Sequence, residues 1–482
     1  MEELRARAQR GPLRVGVLVF RGYELLDVWG PVQMLVNCND PLVRPGAVLR
    51  KAFQVQLFGE GRTPLAPEAV VDFSRATCEP GALPVVDLLL VPGGDTAAAI
   101  ADPWNRAALE WLGGNAALVL AVCNGAGFLA SLGWLDGLRA TTNKMDLPEL
   151  AAAFPRVRWQ REARWVCEGK WLTSSGVAAG TDASLFLVEQ LWGSRVARGV
   201  CQAAEYVPCR DPSRDPFCGN ATVDWAAIRP ARAARPLRVA LLLYDNFELL
   251  DVFGPLECWV VANRFQAGLF ALETIAETAQ VKSSKGPSFR VDSVVGQGAP
   301  REAPDVLFVP GGIGTVRELF RAETLAFIRA LVPRVSTVFT VCTGSAILAS
   351  TGALDGLRAT TNKLSFNLMT SFGPRVRWDK AARFVAAEGP GAKFWTSSGV
   401  AAGIDMALHL LERQHGRAFA DAVAKRAEYP RPPTDAADPF AATVPALTLL
   451  ERAKQWLTSA TLALCFRAGL ALGIDMRTSR LL

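Results

Sequence analysis

The stretch Ser336-Thr-Val-Phe-Thr-Val-Cys342-Thr-Gly-Ser-Ala-Ile-Leu-Ala-Ser350 passes from an apolar, β-rich run through a cysteine and a glycine into a helical pattern that Gly352 ends. Strand, tight turn, helix is the unit of α/β folds built on a parallel sheet covered on both faces. The same order occurs upstream, where Ala117–Val122 leads into Cys123-Asn124-Gly125-Ala126-Gly127. Leu237–Leu243 and Asp305–Val309 are further apolar strands bounded by turns. Ligands of such sheets bind beyond the carboxyl ends of the strands. Both cysteines lie there, and so do the runs Val91-Pro-Gly-Gly94 and Val309-Pro-Gly-Gly312.

The recurrence extends over the whole domain. Glu24-Leu-Leu-Asp27-Val-Trp-Gly30-Pro31 returns as Glu248-Leu-Leu-Asp251-Val-Phe-Gly254-Pro255. Leu135–Lys144 returns unchanged as Leu354–Lys363, and Thr173–Gly180 as Thr396–Gly403. Each copy closes on a similar tail: Ala204-Glu205-Tyr206 leads to Asp215-Pro-Phe217, and Ala427-Glu428-Tyr429 to Asp438-Pro-Phe440. A spacing near 220 residues means two copies of a domain, not a solenoid period. We place repeat one at 11–225, a Pro/Ala/Arg-rich linker at 226–235, repeat two at 236–445, and a helical tail at 446–482.

Composition agrees with two globular domains. Half of the 482 residues are apolar, and 52 basic against 46 acidic residues leave a net charge of +6. No long run of like charge occurs, so nucleic acid is not an expected partner. Ten cysteines are scattered without a CxxC pair or zinc-type cluster, which points to reduced thiols, a cytoplasmic setting and no metal. The N-terminal apolar run is too short for a signal segment. The apolar tail is interrupted by Arg452, Lys454 and Arg467, so it is no membrane span and reads as a docking helix, with a membrane-surface helix as the alternative.

A cysteine at a strand end and helix start feels the helix dipole and unpaired N–H groups, which should favour its thiolate. Cys123 and Cys342 are the cysteines kept at equivalent positions in both copies. The glycines of each Pro-Gly-Gly run read as backbone amides held open to a developing negative charge. A Cys-His-acid triad needs an imidazole, yet the only histidines, His409 and His415, are six apart near the end of repeat two. Repeat one has none, which excludes triad hydrolysis there. Proton work then falls to Asp27 and Asp251, each set among leucines and a Val-aromatic-Gly-Pro run that suggests burial and a raised pKa. The alternative for each aspartate is a cap on a helix starting near Gly-Pro. Asp136 and Asp355 read as turn residues.

These motifs resemble the DJ-1/PfpI superfamily, within it the isonitrile hydratase branch, over both repeats nearly end to end. The resemblance implies a flavodoxin-like three-layer α/β/α sandwich in two tandem copies and cofactor-free chemistry on a small electrophile. It makes Cys342 the nucleophile, Asp251 the acid, Thr343 the flanking residue and Gly312 a backbone donor. The matching set in repeat one is Cys123, Asp27, Asn124 and Gly94. Asn124 departs from the Cys-Thr-Gly pattern, so repeat two is expected to be the better catalyst. Superfamily members commonly dimerise, so the tandem is expected to form an intramolecular pseudo-dimer, with further homo-oligomerisation open. Two other functions stay open: glyoxalase or deglycase chemistry on reactive aldehydes, and a non-enzymatic redox or ligand sensor or chaperone.

Overall fold

A computed structural model describes residues 1–44, 51–59, 80–219, 235–295, 303–389, 391–433 and 437–446, with the backbone alone of 63–64 and 70–71, and residue 228. Nearly all of the expected linker and of the expected helical tail lies outside the described residues.

Each repeat forms one largely parallel sheet. In repeat one the strands run in the order Phe53–Phe58, Leu13–Leu18, Leu88–Val91, Leu118–Ala121, Trp171–Ser174, Trp165–Glu168, and only the last is antiparallel to its neighbour. In repeat two the order is Ser293–Val294, Phe270–Ala276, Leu237–Leu242, Val306–Val309, Thr337–Thr340, Ala392–Ser397, Phe384–Gly389, again with an antiparallel final strand. Leu88–Val91, Leu118–Ala121 and Val306–Val309 are buried at every residue. This is why they read as unbroken apolar runs: helices cover both faces. Each leucine or valine so buried contributes roughly 1.5–3 kcal/mol.

The helix carrying the upstream acid starts earlier than Gly-Pro. It spans Leu25–Asn37 in repeat one and Leu249–Phe265 in repeat two, with Glu24 and Glu248 at the cap positions. Asp27 and Asp251 therefore lie inside the first turn and are not caps. Pro31 and Pro255 lie within these helices. A proline offers no N–H to the carbonyl four residues earlier, so the ladder is interrupted at the acid itself.

Both helices are buried on nearly all sides, the condition of a helix packed between layers. One side meets a helix of its own repeat, Val177–Trp192 or Ala402–His415, and the other meets its counterpart across the two repeats. Trp29 stacks on Phe253 at 4.9 Å and 20°, and Phe289 packs against both rings. These two aromatics occupy equivalent positions in their repeats, so the contact lies on a pseudo-twofold axis.

Candidate active site

Both cysteines sit in the left-handed region, Cys123 at φ 56° and Cys342 at φ 58°. A non-glycine residue there is strained and persists only where its surroundings over-determine it. The surroundings are the two sequence blocks that recur unchanged. The Cys342 N–H donates to the Ser398 carbonyl (2.9 Å), and its carbonyl accepts from Thr361 Oγ1 (3.1 Å) and Ser345 Oγ (3.0 Å). In repeat one Ser175 and Thr142 hold Cys123 in the same way, at 2.9 Å each. The short helices Gly125–Ser131 and Gly344–Ser350 follow directly.

The acids converge on the same turns. Asp251 Oδ2 accepts the Gly311 N–H at 2.8 Å, and Asp27 Oδ2 accepts that of Gly93 at 2.7 Å. A Cβ on Gly93 would lie 2.9 Å from both Asp27 Oδ2 and Cys123 Cβ, so carboxyl and cysteine flank one glycine. Each aspartate's Oδ1 is buried with no hydrogen-bond partner of standard geometry among the described residues. Burial pushes the Asp251 carboxyl well above the usual carboxylate range; Glu248 adds to this, while Gly311 and the Cys342 thiol oppose it. Asp27 is raised by burial and then by Glu24. In both, burial favours the neutral carboxylic acid over the carboxylate.

Two expectations are corrected. The thiols are not tuned down: burial raises both, Asp251 adds to Cys342 and Asp27 to Cys123, because removing a thiolate from water outweighs a short helix's field. Nor are the second glycine amides held open. Gly312, at φ 129°, donates to Thr343 Oγ1 (3.0 Å), and Gly94, at φ 127°, to Asn124 Oδ1 (2.8 Å). Both amides position the residue after the cysteine.

That residue differs in what it connects. Thr343 Oγ1 lies 2.8 Å from Thr315 Oγ1, itself 3.1 Å from the Tyr244 hydroxyl, which donates to the Pro310 carbonyl at 2.7 Å. Repeat one has Phe20, which carries no hydroxyl, in place of Tyr244. Asn124 closes a two-bond amide pair with Gly94, its Nδ2 donating to the Gly94 carbonyl at 3.0 Å, where Thr343 meets the Gly312 N–H and carbonyl through its single oxygen. Repeat two has a hydroxyl chain beside its cysteine; repeat one has a closed amide ring.

Glu205 and Glu428, which the sequence shows only as parts of a repeated tail, are exchanged between the repeats. Glu205 of repeat one accepts from Asn362 Nδ2 (2.9 Å), Lys363 N (2.5 Å), Gly399 N (2.7 Å) and the Ser398 hydroxyl, all in repeat two. Glu428 of repeat two accepts from Lys144 N (2.6 Å), Gly176 N (2.6 Å) and Ser175 Oγ (2.5 Å) in repeat one. Each holds the serine that anchors the other repeat's cysteine. Both glutamates also have positive φ, 43° and 45°. Their recurrence in Ala-Glu-Tyr was the available signal.

The remaining candidates fall away from the elbows. His409 and His415 lie on the helix Ala402–His415, which a further helix, Arg417–Arg426, follows; they pack against Phe384 and Trp395, and against Phe270 and Phe419. Asp136 and Asp355 pair with Arg156 and Arg375 at the surface. No group of potential metal ligands occurs among the described residues, and no described helix is long and apolar enough to cross a membrane.

Two copies of a doubly wound sheet, each with a strained cysteine beside a buried acid, define a class that comparison names. The DJ-1/PfpI family model matches residues 13–190 and again 237–413, and the chain belongs to that family. Isonitrile hydratase of Pseudomonas putida is 29% identical over 204 residues, covering 42% of this chain and 83% of that protein. The HTH-type transcriptional regulator GbdR of Pseudomonas aeruginosa is 31% identical over 204 residues, 42% of this chain but 53% of the regulator. The match thus spans about half the regulator's length. Among solved structures, a THiJ/PfpI family protein from Pseudomonas syringae aligns with 27% identity over 48% of this chain and 90% of its own, at a TM-score of 0.37.

Proposed function

We propose that the chain is a cofactor-free, cysteine-dependent enzyme of the isonitrile hydratase type, with repeat two as the principal catalyst. The observation that carries this reading is the pairing of Cys342, held at φ 58°, with a buried Asp251 whose carboxyl lies well above its usual range. The Cys342 sulfur adds to the terminal carbon of an isonitrile. Asp251 delivers a proton to that carbon and regains one from the thiol. Water then attacks the resulting thioimidate, the C–S bond breaks, and an N-substituted formamide leaves with the thiol restored. The Thr343–Thr315–Tyr244 hydroxyls support the proton movements around this centre. The 29% identity to isonitrile hydratase over most of that protein supports the substrate class.

The test is formamide formation from a small alkyl isonitrile by the Cys342→Ala and Cys123→Ala variants. Turnover should fall to background in the first and persist in the second. The reverse pattern would transfer catalysis to repeat one.

A second reading has support from the regulator match: a ligand or redox sensor. Mild peroxide followed by mass spectrometry separates it. Sulfinic acid confined to the elbow cysteines, with no conversion of isonitrile to formamide or of methylglyoxal to lactate, favours the sensor.

A further inference from the structure

The two elbows differ in charge as well as in hydrogen bonding, and the difference comes from across the domain interface. Arg426 ends the helix Arg417–Arg426 of repeat two, two residues before the exchanged Glu428. Its carbonyl accepts from Asn143 Nδ2 of repeat one (3.4 Å), and its Nη1 lies 3.2 Å from Asp146 Oδ2. Asn143 follows Thr142, whose hydroxyl holds the Cys123 carbonyl. The guanidinium is thereby seated at the rim of the Cys123 turn. Its side chain is 15% exposed and that of Asp146 26%, so the pair is reached from solvent. Arg426 pulls the buried Cys123 thiol down, against burial and Asp27, and among its own charged neighbours Cys123 precedes Asp146 and Glu24. Glu24 has its own ion pair with Arg264.

Among the described residues no counterpart of this guanidinium stands beside Cys342. Ala203 stands where repeat two has Arg426, and Ser365 where repeat one has Asp146. A guanidinium presents five N–H donors in a fixed fork, and Asp146 engages one terminal nitrogen. The rest of the fork suits a carboxylate or similar anionic oxygen group.

We propose that Arg426, contributed by repeat two, makes the Cys123 site of repeat one selective for small electrophiles carrying an anionic group such as a carboxylate, whereas the Cys342 site, without this guanidinium, takes neutral ones. This rests on the reading of the elbow cysteines as nucleophiles. The tandem then holds two sites of different specificity, and the repeat-one site is incomplete without repeat two.

Iodoacetate and iodoacetamide share a leaving group and differ in charge, so their rates at each cysteine of the full-length protein, resolved by peptide mass spectrometry, provide the test. The iodoacetate-to-iodoacetamide ratio should be about 10-fold higher at Cys123 than at Cys342, the effect of one charge-assisted hydrogen bond. Arg426→Gln should lower the Cys123 ratio to the Cys342 value, and Arg426→Lys should retain most of the preference. The Cys342 ratio, read in the same molecules, reports that the fold is intact. If Arg426→Gln does not fold, the Ala203→Arg variant must raise the ratio at Cys342. Equal ratios in the wild type, or a Cys123 ratio indifferent to Arg426→Gln, would overturn the inference while leaving the nucleophile reading in place. Failure of both reagents at both cysteines would overturn the two together.

Discussion

At Cys342 a buried thiol and a buried carboxyl share one small space: Asp251 raises the thiol's cost of ionisation, whereas the thiol partly offsets the burial that raises Asp251. Replacing Asp251 by Asn removes the proposed proton donor and the group that opposes the thiolate at once. Formamide turnover should fall by about 100-fold or more, the usual contribution of a positioned acid. The pH profile of Cys342 alkylation by iodoacetamide should move to lower pH, since the neighbour that opposes the thiolate has gone. A shift to higher pH would show that Asp251 does not act on the thiol. Gly311 is equally constrained: an added Cβ would stand 2.6 Å from the Thr343 backbone nitrogen and 2.9 Å from Asp251 Oδ2. Gly311→Ala should cost ~1–3 kcal/mol of stability by overpacking and slow alkylation of Cys342 more than that of Cys123. Peptide-resolved labelling with chemical denaturation checks both. The aspartates and cysteines were legible in the sequence because they recur. Their ionisation was only half legible: dipole and burial act oppositely on a thiol, and burial is a tertiary quantity.

Among the elements, the segments that leave each repeat after its last helix carry the exchanged glutamates. Glu205 satisfies four donors of the opposite repeat, and the Cβ that Gly399 lacks would fall 2.4 Å from the Glu205 carboxyl carbon. Glu205→Ala leaves those buried donors without a partner, at about 1–3 kcal/mol for each that stays unsatisfied. The expected result is a loss of at least ~3 kcal/mol on that scale. Reactivity should change at Cys342 before Cys123, although Glu205 belongs to the repeat that contains Cys123. An effect first seen at Cys123 would refute the exchange. Lys144 and Lys363 anchor the loops so held: each buried ammonium reaches a threonine hydroxyl and a backbone carbonyl, and pairs with Asp215 or Asp438 of its own repeat's tail. The repeated Asp-Pro-Phe closes each domain by this pairing.

Across the whole molecule, the pseudo-twofold axis brings Glu257 against Glu24, two carboxyls with little water. Burial raises Glu24, but Arg264, Glu257 and Arg426 together outweigh this and hold it below the ordinary range; Glu257 is raised well above it by burial and by Glu24. Of the pair, Glu257 is therefore the one that holds its proton more tightly. A folded pKa above the ordinary 4.5 of glutamate means this group's contribution is fully present below pH 4.5 and is lost as pH rises through the folded value. Glu257→Gln stays neutral at every pH and can still accept the Leu26 N–H that Glu257 Oε2 receives at 3.1 Å. The stability of this variant relative to wild type should grow as pH rises above about 4.5, measured by urea unfolding at several pH values. A constant difference would mean that Glu257 does not titrate at the interface. The linker keeps the two repeats at high mutual concentration, so a weakened interface should loosen without the halves diffusing apart.

Much of this protein is determined by local sequence. Two copies, a covered parallel sheet, a cysteine at each strand end and an acid upstream all follow from periodicity, turn residues and recurrence, which act over a few neighbours. The unchanged Thr-Thr-Asn-Lys and Ser-Ser-Gly blocks announced their importance but not their task, since they hold the cysteine across 19 to 56 positions of chain. Only the tertiary structure decided that Glu205 and Glu428 serve the opposite repeat, that Arg426 of repeat two meets Asp146 and Asn143 of repeat one, and that burial raises acid and thiol alike. Each of these depends on which surfaces meet in space, and desolvation and Coulomb forces answer to that distance, not to separation along the chain.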